Sequence, residues 1–83
     1  MKDLIFYKSR RKNKKYDVYE IINGEHKYLT SFGDIRYEHY FDKIGEYKQL
    51  DHLDKKRKDN YYKRHKTNYN KYSADWFSKK LLW

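Results

Sequence analysis

The stretch YDVYEII-NG-EHKYLTSFG, residues 16–33, constrains the fold more than any other part of the chain. Two runs rich in β-branched and aromatic residues flank Asn23-Gly24. That dipeptide readily supplies the two positive-φ positions of a type I′ turn, so the segment reads as a β-hairpin. Centring the turn there sets Glu20 opposite Lys27, Tyr19 opposite Tyr28 and Val18 opposite Leu29, each a sensible cross-strand pair. DLIFYKS (3–9) clusters apolar and aromatic side chains over the length of a strand. SRRKNKK (9–15) then connects it to the hairpin as a flexible basic loop. IRYEHYF (35–41) alternates once more, with Ile35, Tyr37, His39 and Phe41 on one face, and is a candidate fourth strand that Gly45 brings to an end.

The second half changes period. DHLDKKRKDNYYKRH (51–65) has good helix formers and no breaker, with Asp51 and Asp54 placed where the helix dipole favours anions. On a helical wheel Leu50, Leu53, Arg57, Tyr61 and Arg64 share one arc, while Lys55 and Lys58 point away. The arc predicts structural roles for Arg57, Tyr61 and Arg64: the arginine stems pack, and their heads find acids such as Glu38, Asp42 or Glu46. KTNYNKY (66–72) is a polar connection. Ser73 is the expected N-cap of a last helix, with Asp75 in its first turn and Lys79 and Lys80 near its end. The expected fold is one small α+β domain over 1–83: a small antiparallel sheet of three or four strands packed by two C-terminal helices.

Aliphatic side chains are too few to fill the core of such a domain. The chain has six Leu, five Ile and one Val, against eleven Tyr, four Phe and two Trp. Most of the aromatics must therefore be buried, which leaves few tyrosines to stack on bases. There is no cysteine, so disulfides and thiolate metal sites are excluded. The apolar run LIFY is too short for a signal-peptide core or a membrane span, so the expectation is a protein that is neither secreted nor in a membrane.

The net charge of +9 is unevenly spread. Residues 1–16 carry seven cations against one anion, 17–54 four against nine, and 55–83 ten against two. Lys8 to Lys15 holds six cations in eight positions: Lys8, Arg10, Arg11, Lys12, Lys14 and Lys15. Between two strands these would contact phosphates without reading bases, and Lys55, Lys58, Lys63 and Lys66 would extend the patch. No zinc-finger spacing, aromatic RNA-binding motif or GXXG loop accompanies them.

KKY (14–16), FG (32–33), His52, Asp54, Arg57, Lys58, Tyr61, RH (64–65), Ser73-Ala74, Ser78 and LLW (81–83) follow one another in a familiar order. The pattern resembles an uncharacterised family of short basic proteins encoded by large nucleocytoplasmic DNA viruses of algae and amoebae. The resemblance covers most of the chain and is strongest from 52 to 83. It implies a viral source, and with it a location in the virion or in the host cytoplasm or nucleus, but no activity. Against that pattern, Asp75 stands where glycine is usual and the 34–50 segment is longer. The family pattern also runs on past LLW with another basic segment.

Three functions follow as alternatives. The first is binding of a polyanion, foremost the phosphate backbone of DNA or RNA without sequence preference. The second is a minor structural role, as a capsid-associated or cement protein binding acidic faces of virion proteins, with self-association; the same cations serve it. The third is catalysis. His52 or His65 with Asp51 or Asp54 would supply a base and its orienting carboxylate, but the two histidines do not converge on one helix. Glu46-Tyr47-Lys48 and Glu25-His26-Lys27 match the E-x-K fragment of a nuclease core, a match that chance supplies in a chain that is 40% charged. No catalytic residue, metal or cofactor is expected.

Overall fold

The computed structural model describes residues 3–66 and 69–83. Three strands, β1 (Leu4–Lys8), β2 (Lys14–Ile22) and β3 (Glu25–Asp34), form an antiparallel sheet in the order β1-β2-β3. Two helices follow, α1 (Lys55–Arg64) and α2 (Ala74–Leu81). Of the KTNYNKY connection, Thr67 and Asn68 lie outside the described residues.

Asn23 and Gly24 close the hairpin with φ of 51° and 79°, the two left-handed positions of a type I′ turn. Glu20 faces Lys27 and Tyr19 faces Tyr28 as the turn dictates, but Val18 faces Thr30 and not Leu29. An extra residue on β3 makes a bulge at Val18/Tyr19. The bulge decides what reaches the core. In an unbroken register Ser31 would face Tyr16; with one residue inserted, Phe32 faces Tyr16 instead and Ser31 faces Asp17.

The core is aromatic, as the shortage of aliphatics requires. Tyr16, Val18, Phe32, Phe77 and Leu82 are its buried residues. Phe77 of α2 stacks on Phe32 at 5.5 Å and meets the edge of Phe6 at 5.8 Å. Ser73 caps α2, its Oγ accepting from the Trp76 N–H at 3.2 Å, with Asp75 in the first turn and Lys79 and Lys80 in the last.

Three expectations need correction. The segment 35–41 is not a strand. Asp34 accepts from the Arg36 backbone N–H at 2.9 Å and grips its guanidinium at 2.6 Å, which turns the chain away from the sheet. Ile35, Tyr37 and Phe41 are consequently exposed, and His39 alone of the supposed face is buried. The helix expected from residue 51 begins at Lys55, because Leu53 has φ 54° and Asp54 is the N-cap. Finally, α2 lies against β3, whereas α1 does not lie on the sheet. Tyr61 of α1 instead stacks flat on Trp83 at 4.5 Å.

Candidate nucleic-acid interface

A buried carboxylate fixes the basic loop between β1 and β2. Asp17 accepts from the hydroxyls of Ser9 and Ser31, both at 2.5 Å, and from the Arg10 backbone N–H at 3.2 Å. Burial opposes ionisation of Asp17, but the hydrogen bonds from Ser31, Ser9 and Arg10 outweigh it and hold its pKa below the usual value. Arg11 donates its backbone N–H to Ser9 Oγ at 3.0 Å and its Nη1 to the Tyr28 hydroxyl at 3.0 Å. Tyr28 in turn shares a 2.7 Å hydrogen bond with Ser31. The loop expected to be flexible is therefore tied to the sheet at Ser9, Arg10 and Arg11, while the side chains of Arg10, Arg11 and Lys12 stand exposed.

That loop borders a sheet face on which, among the described residues, no helix is laid. The face opposite α2 carries Ile5 and Tyr7 from β1, Asp17 and Tyr19 from β2, and His26, Tyr28 and Ser31 from β3. Tyr7, Tyr19 and Tyr28 form a ladder across all three strands, edge to face at 5.5 and 5.7 Å. Tyr7 is 44% exposed and Tyr28 46%. Tyr7, Lys8, Arg10, Asp17, Tyr19 and His26 line a groove of about 560 Å³ on this face. Sequence reasoning assigned the tyrosines to the core. The signal that could have separated them is the alternation itself, with Tyr16 and Val18 on one side of β2 and Asp17 and Tyr19 on the other.

The structure divides the predicted cations between separate surfaces. Lys8 and Arg10 line the groove, and Arg11, Lys12 and Lys14 are exposed beside it. Lys15 leaves this set: it is 2% exposed, its Nζ donating to the Tyr37 carbonyl at 2.9 Å and to His39 Nδ1 at 2.8 Å. It belongs to β2 and not to the loop, and its stem runs so close to Gly33 that a Cβ there would sit 2.9 Å from Lys15 Cδ. On α1, Lys55, Lys63 and Lys66 are exposed, while Lys58 is half-buried with its Nζ 4.4 Å from the centre of the Tyr40 ring. Arg57 and Arg64 do not pack as the helical wheel predicted. Arg57 is 47% exposed at its side chain and pairs with Glu38 at 3.1 Å, and Arg64 is exposed and meets no acid among the described residues. Together with Asn60, Lys63 and Trp83 they line a second groove of about 480 Å³. Tyr61 does take the structural role expected of it, as the buried anchor of the helix.

The titratable groups converge elsewhere, in a buried network that sequence spacing did not reveal. His39 receives Lys15 on Nδ1 and donates Nε2–H to Asp51 at 2.5 Å. Burial pushes Lys15 down to about 8, against the pull of Asp42, Asp34 and Asp51. Burial, and then the Lys15 charge, also lowers His39. Asp42 accepts from the Tyr16 hydroxyl, from the Ile44 N–H at 2.9 Å and from the Tyr47 N–H at 2.8 Å. These bonds hold the 37–52 segment in place. His52 and His65 stand elsewhere, at either end of an aromatic stack through Trp83 and Tyr61. Among the described residues no group of three or more His, Asp or Glu side chains is disposed to hold a metal ion, and no helix is long and apolar enough to cross a membrane.

Comparison of the chain with protein-family models, curated proteins and solved structures gives no match.

Proposed function

We propose that the protein binds nucleic acid without reading its sequence, through phosphate contacts made by Arg10, Arg11 and Lys12 and flanked by Lys8 and Lys14. The supporting observation is the anchoring of this loop. Asp17 fixes its backbone from beneath, so the exposed cationic heads are presented from an ordered frame and lose less freedom on binding. Part of the cationic surplus within 1–16 has a partner inside the fold, since Lys15 is consumed there, and the rest faces outward. The viral resemblance belongs to the same proposal and would place this binding in a virion or an infected cell.

Fluorescence anisotropy with a labelled duplex between 50 and 200 mM salt tests the reading. Each phosphate neutralised adds about −0.9 to the log–log slope of affinity against salt, so engagement of most of the five exposed cations gives a slope near −4. Duplexes of equal length and different sequence should bind alike. Converting Arg10, Arg11 and Lys12 to Ser should remove most of the binding at an unchanged melting temperature; Lys15 must be left intact, because it is part of the fold. Negligible affinity near physiological salt overturns the proposal, and binding to acidic faces of virion proteins would then account for the same cations.

A further inference from the structure

We infer that the open sheet face is a stacking platform for the bases of single-stranded nucleic acid, with Tyr7 and Tyr28 as the two ring contacts and the β1–β2 loop as the clamp on the backbone. The inference rests on the proposed nucleic-acid binding and adds to it the class of strand.

The geometry argues for this occupant in three steps. First, the rings are exposed where the cations are. Arg11 reaches over the face to the Tyr28 hydroxyl, and Arg10 and Lys8 share a groove with Tyr7 and Tyr19. A base laid on either ring would thus leave its phosphate within reach of a guanidinium or ammonium group. Second, the rings are held. Tyr7 meets the edge of Tyr19 at 5.5 Å and its hydroxyl is 3.2 Å from His26 Nδ1; Tyr28 meets Tyr19 at 5.7 Å and its hydroxyl is bound by Arg11 and Ser31. Rings fixed before binding give up little rotamer freedom when a base stacks on them. Third, Tyr7 and Tyr28 sit on the two outer strands, two strand spacings or roughly 10 Å apart. An antiparallel sheet presenting aromatics at that spacing can stack two or three bases of a splayed strand, which a paired duplex does not offer.

Charge decides between this and the other candidate occupant, a second copy of the sheet. A face-to-face dimer would bring Lys8, Arg10 and Arg11 of both copies together across a small interface, whereas a polyanion complements them. Asp17 does not reverse the sign of the face as a ligand meets it, because its carboxylate is buried beneath Ser9, Arg10 and Ser31.

The experiment compares three labelled probes of equal length by anisotropy at one salt concentration: oligo-dT, an abasic deoxyribose-phosphate strand, and a duplex. With the unaltered protein, oligo-dT should bind about 10-fold or more tighter than the abasic strand. Tyr7→Ala and Tyr28→Ala should each weaken oligo-dT between about 5-fold and about 100-fold while leaving the abasic strand and the duplex unchanged. Tyr7→Phe should retain binding, since stacking uses the ring. Equal affinity of the unaltered protein for oligo-dT and the abasic strand, a result that needs no variant to fold, overturns the platform but leaves phosphate binding standing. No binding to any probe overturns both. A dimer in sedimentation equilibrium that Tyr7→Ala dissociates also overturns the platform, since a second copy would then cover this face.

Discussion

The sheet and the 37–52 segment both abut the end of α2, yet they are held by opposite means. The sheet meets α2 through rings: Phe6, Phe32 and Phe77 lie within 6.2 Å of one another, and Tyr16 lies 5.5 Å from Phe32. The 37–52 segment has one 3-10 turn at Lys48–Leu50 and an isolated parallel bridge between His39 and Asp51. It is fastened by backbone N–H groups of Tyr40, Phe41 and Lys43 donating to the carbonyls of Leu82 and Leu81, and by the carboxylates of Asp42 and Asp51. Ring packing spreads its contribution over many atoms and several neighbours. The polar segment concentrates it in a few oxygens, each of which satisfies donors that would otherwise be buried without a partner.

The largest effect should come from the packed side. Phe77→Ala removes the ring that joins α2 to two strands and should cost about 4 kcal/mol in a denaturant melt. A loss below 1 kcal/mol would show that α2 is not what closes the core. On the polar side, Asp42→Ala strands the Tyr16 hydroxyl and the amides of Ile44 and Tyr47, and should cost about 3 kcal/mol. The two regions predict different patterns in hydrogen exchange. Asp42→Ala should expose the amides of 44–47 while those of the hairpin stay protected; equal loss in both regions would make them one cooperative unit and break the comparison.

Alkaline pH sharpens the contrast further. The folded chain releases the Lys15 proton at about 8, whereas the unfolded chain keeps it to the ordinary lysine value of 10.5. Between those values the unfolded state holds more protons, so stability should rise with pH across that window and be flat just below it, with a gain on the order of 1–2 kcal/mol. Above pH 10 the direction reverses. Burial raises Tyr16 beyond the ordinary range and Tyr61 to about 12, so the folded state then holds the extra protons. Lys15→Met should abolish the rise and leave the fall. A rise that survives in Lys15→Met would assign it to another group. On the acid side, the lowered carboxyls of Asp17 and Asp42 contribute stability that is present above the ordinary value of 3.8 and lost as pH falls through their folded values.

The smallest effects belong to α1. Arg57→Ala, Arg64→Ala and Lys55→Ala should each fall within about 0.5 kcal/mol of neutral, because the Arg57–Glu38 pair is solvent-exposed at both ends. This departs from the helical wheel, which set the arginines apart from Lys55. A loss above 1.5 kcal/mol for Arg57→Ala alone would restore the reading in which its stem packs.

What the sequence determined by itself was local. Asn23-Gly24 closes a hairpin because the two left-handed positions are chemically specified within the dipeptide, and Ser73 caps α2 because a hydroxyl reaches an N–H three residues on. The aromatic core followed from the lack of any other apolar mass. The tertiary structure decided everything that depends on what lies across from a residue. The bulge at Val18/Tyr19 chose Phe32 over Ser31 for the core, although the sequence pattern allows either. Lys15 and Arg10 look alike in a basic run, yet one is buried against His39 and the other stands in a groove beside Tyr7. The tyrosines divide the same way. Alternation puts Tyr16 and Tyr19 on opposite faces of β2, but α2 covers one face and leaves the other open. Exposure is a property of the neighbour, and a single run of sequence does not contain its neighbours.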